Sequence, residues 1–453
     1  MAEAVRHDKT ARQLRLLSDA LDSGRLGPVR RHVNTLTPAE IGNLLESLPP
    51  GKREVVWGLV DPEDDGEVLV HVGDEVRESL IADMDPDELV AAVEDLDIDD
   101  LADLVEDLPD TVIDEVLKSM DRENRERLEQ VLSYDEDTAG RLMNPDVVTV
   151  RADTTVDVVL RFLRLRGELP EHTDHLYVVN RRHQLIGWVA IQDLVTHDPS
   201  TPVNKLIDEE LESIHVDASA DHVAREFSDN DWVSAPVVDE GNVLLGRITI
   251  DDVVDIIREQ AEHQALGAAG LDEDEDLFSP VPRAARRRAI WLGINLATAF
   301  AASWVIGRFE GTLQQIVALA VLMPIVASMG GVAGTQTLTL VVRGLALGQV
   351  ARGNLRAVLR KEVLVGLVNG IVWAVVVGVV SALWFGDAPL GLVIAAAMAT
   401  NLVVAALSGV IVPLTLRRMD IDPALAGGVV LTTVTDVVGF LSFLGLATLV
   451  LLR

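Results

Sequence analysis

The segment LTTVTDVVGF, residues 431–440, sets one carboxylate, Asp436, among the hydroxyls of Thr432, Thr433 and Thr435, and residues 424–452 hold no other charged side chain. An ionised group at the centre of a bilayer-length segment costs about 2.5–3.5 kcal/mol. The apolar stretches contain no base to pair with it, so a cation or a water-filled path is the natural compensation. Hard divalent ions take oxygen ligands, and Mg2+ keeps several waters while using one or two carboxylates. A lone Asp436 assisted by Thr432 and Thr433 suits a hydrated ion of that kind. A homodimer with its pore on the two-fold axis would bring two copies of Asp436 together and double the charge.

A second set of acids lies outside the apolar stretches. Asp252, Asp255, Glu259 and Glu262 fall at i, i+3, i+7 and i+10, which places them on one face of a helix. The run DELVAAVEDLDIDDLADLVEDLP adds further acids, Asp99 and Asp103 among them. Both sets are candidate regulatory cation sites, although an acidic helix face is ordinarily just solvated. His172, Asp174 and His175 read as a surface loop, with no further ligand nearby in sequence. No Walker A, HExxH or GxSxG pattern occurs and cysteine is absent, so no catalytic constellation is legible and the chain reads as a non-enzyme.

These groups must be positioned by two very different halves. Residues 1–288 hold 66 acids and 29 bases, a net −37, whereas residues 289–453 hold six acids and nine bases. Five apolar runs, about 289–307, 312–342, 363–386, 388–416 and 424–452, are long enough to span a bilayer. The second, longer than a straight span needs, is expected to tilt or break, with Pro324 and the GGVAG motif at 330–334 as the means. Eleven bases flank one side of the spans (Arg283, Arg286, Arg287, Arg288, Arg343, Arg352, Arg356, Arg360, Lys361, Arg417 and Arg418), against Arg308 and Arg453 on the other. That asymmetry predicts a cytoplasmic N-terminus and an outside C-terminus in a multi-pass protein of the cell (inner or plasma) membrane. The opening MAEAVRHDKTARQLRLL lacks the apolar core of a signal peptide. Asn295, Gln336, Asn369 and Asn401 add polar groups within the spans, where hydrogen bonding between helices is their ordinary use.

In the soluble half, residues 145–265 contain a repeat. HLYVVNRRHQLIGWVAIQDLV (175–195) aligns with VSAPVVDEGNVLLGRITIDDVV (233–254) at an offset of 59, matching Val178 to Val237, Gly187 to Gly246 and Asp193 to Asp252. Each copy reads helix, strand, strand, helix, with turns at 180–183 and 239–242. This resembles a tandem pair of CBS domains. The resemblance implies an adenine nucleotide, ATP or AMP, held at the ribose by Thr249 and Asp252 of the second copy; the first copy has Ala190 at the hydroxyl position. Residues 1–133 carry helix-start signals at TPAE, DPDE and DIDD and apolar residues at helical spacing, which predicts a superhelical stack of short helices.

The whole order, with SYDEDTAGRLM (133–143) at the join, MGGVAGTQTLTLVVRGLA (329–346), RRMDIDPALAGG (417–428) and TTVTDVVGF (432–440), resembles the MgtE family of magnesium channels and transporters. The fold is then a multidomain α-helical membrane protein. It has an all-α superhelical N domain (1–133), an α/β CBS pair (134–265), a connecting helix or linker (266–288) and five transmembrane helices (289–453). The resemblance implies a homodimer with a pore lined by the second and fifth spans, Asp436 as the acid that holds hydrated Mg2+, and gating by cytosolic Mg2+. It further implies that an acid of the 420–422 loop, Asp420 or Asp422, meets the connecting helix across bound Mg2+. Val332 and Gly428 stand where several members of that family carry Asn. Two alternatives stay open at this point: transport of Co2+, Mn2+ or Ca2+, and a membrane-anchored CBS-type metal or nucleotide sensor that moves no ion. Nothing in the sequence suggests a nucleic-acid partner.

Overall fold

The structure, a computed structural model, describes residues 20–21, 26–94, 96–105, 107–208, 212–267, 269–271, 276–351, 353–419 and 421–452. Asp420, Arg352, Arg453 and the N-terminal stretch 1–19 lie outside the described residues. The chain divides into two compact units, one comprising 1–259 and 274–279, the other 260–273 and 280–453.

Among the described residues the first unit holds short helices α1 (Leu26–Val33), α2 (Pro38–Glu46), α3 (Pro50–Trp57), α4 (Asp65–Val70), α5 (Asp74–Ile81), α6 (Pro86–Val93), α7 (Ile98–Val105), α8 (Asp110–Ser119) and α9 (Arg122–Val131). Local chemistry sets several starts. Thr37 and Glu40 form a reciprocal capping box at α2, Asp85 and Glu88 another at α6, and the Asp121 carboxylate caps α9 by accepting from two backbone N–H groups. Each helix is too short to hold itself, so its stability comes from the apolar face it buries. Ile41, Leu45, Leu69, Leu80, Leu89, Leu101, Leu104 and Leu128 fill that core.

The join follows as α10 (Ala139–Leu142), and the two repeats follow it: β1 (Thr149–Val150), α11 (Val156–Arg166), β2 (His175–Val179), β3 (Leu185–Ala190), α12 (Ile191–Thr196), then β4 (Ile214–His215), α13 (Ala220–Asn230), β5 (Ser234–Val238), β6 (Leu244–Thr249) and α14 (Ile250–Gly267). Each repeat forms a three-stranded sheet in which the first strand runs parallel to the second and the second antiparallel to the third. The repeat extends to register. Val178 pairs with Gly187 and Val237 with Gly246, and both sheets carry an irregularity one residue later. The short parallel strands β1 and β4 are additions that two-residue runs could not announce.

The second repeat shares one continuous core with the helical stack, whereas the first has its own. The join secures this arrangement. Ala139 and Gly140 N–H donate to Ala218 and Val216, and Arg141 Nη2 donates to Ala102 O of α7 at 2.6 Å. A Cβ at Gly140 would lie 2.5 Å from the Tyr134 ring and 2.7 Å from Val216, so only glycine fits there. A second long-range tie lies at 276–279. Buried Arg53 of α3 donates to Asp276 at 2.7 Å, and Glu75 of α5 accepts from Asp276 N–H and Ser279 Oγ.

The second unit contains α15 (Val281–Gly307), α16 (Glu310–Gln315), α17 (Val317–Ala346), α18 (Leu355–Phe385), α19 (Ala388–Arg418) and α20 (Pro423–Leu451). All but α16 are long and apolar enough to cross a membrane. Of the tilt or break expected in the second run, a break is present but not at the residues named for it: α17 runs unbroken through Pro324 and 330–334, and the interruption is at Ile316, whose extended φ of −130° separates α16 from α17. Neighbouring helices sustain a proline or glycine within a span. Here α19 packs tightly on α17, where a Cβ at Gly409 would lie 2.7 Å from Thr337 Cβ and 2.9 Å from Gly334 O. Glu362 of α18, 4 % exposed, accepts a hydrogen bond from Thr337 Oγ1 at 3.1 Å.

Candidate ion pathway and acidic sites

Two helices build a cavity of about 570 Å3 in the membrane unit. From α17 come Ala327, Ser328, Gly331, Val332, Thr335 and Gln336; from α20 come Thr432 and Asp436. The first set recurs at helical spacing along one face of α17, and Thr432 and Asp436 are i, i+4 on α20, so both line the same side. The Thr432 hydroxyl donates back to Gly428 O (3.0 Å) and Val429 O (3.1 Å), which leaves its lone pairs free to accept from a water or face a cation. Thr433 is not in the lining; its hydroxyl donates to Val429 O at 2.7 Å. The cavity thus sets one carboxylate, three hydroxyls and an amide in an otherwise apolar lining, oxygen groups of the kind that suit an ion retaining its water. Val332, 56 % exposed, adds an apolar side chain to the lining.

In the soluble unit, α7 and α14 bring carboxylates together that are about 150 residues apart in sequence. Asp252 accepts from Thr249 N–H at 3.3 Å and from Thr249 Oγ1 at 3.2 Å, while the same hydroxyl contacts Asp251. Burial, then the charges of Asp251 and Asp100, pushes Asp252 up to about 7. Burial also pushes Asp100 up to about 7, with Asp97, Asp103, Asp251 and Glu67 adding to it. Asp99 is raised well above the usual carboxylate range by burial and by Asp252. Asn144 Nδ2 bridges Asp97 (3.3 Å) and Asp99 (3.1 Å), tying the join to the cluster. Asp103 itself is exposed and acts on the cluster through its charge. Among the described residues, no three acidic or imidazole side chains converge closely enough to ligate a bare ion. The cluster suits a proton or a cation that keeps part of its water shell.

The spacing reading of α14 holds as far as the helix is continuous, but burial divides its acids. Val253 and Ile256 enter the core, Asp252 is partly buried beside α7, and Asp255 and Glu259 are exposed. Asp252 therefore belongs with Asp99, and Asp255 and Glu259 form a separate outer face. Asp422 caps α20, accepting from Ala424 and Leu425 N–H at 2.9 Å each. Its Oδ2 also lies 3.0 Å from His263 Nε2 in the last turns of α14. The sequence reading put an acid of the 420–422 loop opposite the connecting helix but passed over His263; the i, i+4 spacing of Glu259 and His263 was the available signal.

Comparison with known proteins follows the same division. Residues 36–137 match the MgtE intracellular N domain, 139–200 and 203–259 match CBS domains, and 323–446 match the MgtE divalent cation transporter family. The magnesium transporter MgtE of Thermus thermophilus is 32 % identical over 451 residues, covering 96 % of this chain and 98 % of that one. The chain belongs to the MgtE family. A second MgtE relative, the magnesium transporter of Bacillus subtilis, is 33 % identical over 73 % of this chain and 74 % of its own. A crystal structure of the cytosolic domain of the Mg2+ channel MgtE in complex with ATP covers 53 % of this chain and 98 % of its own, with 32 % identity and a TM-score of 0.48. The MgtE match at 323–446 contains the whole cavity lining, and the N-domain and CBS matches meet at the join that carries Arg141 and Asn144.

Proposed function

We propose that this protein conducts Mg2+ across the cell membrane as a homodimer, with a cytoplasmic N-terminus and an outside C-terminus, and that cytosolic Mg2+ acting on its acidic soluble half closes the pore. The observation that carries this reading is the cavity in which Asp436 is the one acid, joined by the hydroxyls of Ser328, Thr335 and Thr432 and by exposed Val332. A second copy facing this lining encloses the path and doubles the carboxylate. Two acidic surfaces repel until a cation lies between them, so Mg2+ at Asp252 with Asp99, and at Asp255, Glu259 and Asp422, favours the docked state.

The deciding experiment is flux in liposomes. Asp436→Asn is expected to abolish Mg2+ uptake in a dimer that remains intact by size-exclusion chromatography, and wild-type uptake by that variant would end the reading. Parallel runs with Co2+, Mn2+ and Ca2+ test whether one of these is the preferred ion; apolar Val332 in the cavity lining is the feature that favours a broader choice. A nucleotide, ATP or AMP, is the second ligand, held by Thr249 and Asp252. The carboxylates around Asp252 favour a cation there and oppose a bare phosphate, so a nucleotide would enter as its Mg2+ complex. Calorimetry with each nucleotide, with and without Mg2+, tests this; no heat in any arm removes the nucleotide.

A further inference from the structure

The two helices that line the cavity are held from behind by a third that contributes nothing to the lining. Asn401 of α19 is 0 % exposed, and its Nδ2 donates to Val326 O of α17 at 2.9 Å. Its amide also fills the gap between two glycines. A Cβ at Gly330 of α17 would fall 2.2 Å from Nδ2, and one at Gly439 of α20 would fall 2.8 Å from it. Those contacts lie at the level of the cavity: Val326 adjoins Ala327, Gly330 adjoins Gly331, and Gly439 is three residues beyond Asp436. The segment of α17 concerned contains Pro324, Gly330, Gly331 and Gly334, a composition that bends or breaks a helix lacking outside support. It is nevertheless continuous.

We propose that Asn401 is a positioning residue for permeation: its amide, keyed between Gly330 and Gly439 and bonded to Val326, fixes the separation and rotation of α17 against α20. It thereby sets the width of the path beside Asp436. Asn401 touches no lining residue's polar group; it acts through the backbones that carry them. Asparagine suits the place because a short planar amide fits where two Cβ atoms are absent and can still donate to a carbonyl. Leucine has nearly the same size and no donor.

This inference rests on the pore reading above, and the test separates the two. Full-length protein is reconstituted in liposomes, and Mg2+ flux and the Mg2+ to Na+ permeability ratio are measured for Asn401→Leu, Asn401→Ala, Gly330→Ala and the double variant Gly330→Ala with Asn401→Ala. Asn401→Leu is expected to remain dimeric while its permeability ratio falls about three- to tenfold, the scale of one lost hydrogen bond. Gly330→Ala is expected to fail in the same direction, and adding Asn401→Ala, which makes room for the new methyl, is expected to recover part of the flux. A wild-type permeability ratio in Asn401→Leu overturns the inference. If that variant does not fold, a Gly330→Ala defect untouched by Asn401→Ala overturns it instead. Asp436→Asn retaining flux would sink the pore reading whatever these variants do; Asp436→Asn silent with Asn401→Leu normal would sink the positioning role alone.

Discussion

If Mg2+ binds the cluster of Asp99, Asp100 and Asp252 as proposed, the soluble half responds to protons and Mg2+ through the same groups. Raising the Asp252 carboxyl from its ordinary 3.8 to about 7 means that the folded state binds this proton more tightly than the unfolded chain does. Its stabilising effect is therefore full below pH 3.8 and is lost as pH rises through about 7. Between pH 5.5 and 8 that loss comes to about 2 kcal/mol for Asp252 alone. Asp99 and Asp100 shift in the same direction but share charge with Asp252, so the three titrate as a set and their effects do not simply add. For a unit of this size about 2 kcal/mol corresponds to a shift of roughly 5 °C in midpoint. Scanning calorimetry of the full-length protein in detergent with EDTA should show the soluble transition lower at pH 8 than at pH 5.5 by that order. Millimolar Mg2+ should restore it at pH 8 and add little at pH 5.5, where protons already neutralise the cluster. Asp252→Asn should flatten the pH dependence and weaken the response to Mg2+. Equal midpoints at the two pH values in EDTA, or an Asp252→Asn variant with the wild-type slope, would refute the reasoning.

Removing one partner of a buried ion pair leaves the other uncompensated, so Arg53→Ala should release the 276–279 segment at a cost of about 3–5 kcal/mol; amide exchange at Asp276 and Ser279 should accelerate at least a hundredfold. Gly409→Ala drives a methyl into Thr337 and the Gly334 carbonyl and should destabilise the membrane unit by about 1–3 kcal/mol, read as a lower thermal midpoint in detergent. His263→Ala removes the side chain that meets Asp422, and is expected to shift the concentration of cytosolic Mg2+ that half-closes the pore in patch recordings; an unchanged value excludes His263 from gating.

What the sequence made legible was what depends on near neighbours or on repetition. The capping boxes at Thr37 and Asp85 are complete within four residues, and the two CBS copies reveal themselves because Gly187 and Gly246 answer the same steric demand in the same register. Hydropathy gave the spans for a similar reason, since each satisfies its own backbone. The break at Ile316 was misplaced because proline and glycine weaken an isolated helix, whereas α17 is supported by α19. Asp436 stood out because a carboxylate among apolar residues is costly wherever it lies. Its lining partners on α17 needed the packing of two helices about 100 residues apart. The same holds for Asp252, whose α14 spacing suggested one acidic face; only the shared core of α7 and the second repeat turns it toward Asp99. Glu362 and Asn401 gave no local signal of their partners, Thr337 and Val326.

The clamp of Arg53 and Glu75 on 276–279 has a statistical consequence. Asp276 and Ser279 are both held on the helical stack. The chain from the end of α14 at Gly267 to the anchored Asp276 can extend no further than about 30 Å. The 276–279 segment therefore returns to the helical stack at an effective concentration in the millimolar range, set by the length of its own tether and not by the number of copies in the cell. Contacts far too weak to hold a free peptide on the stack can then hold this segment there, so the two side chains Arg53 and Glu75 suffice as its anchor.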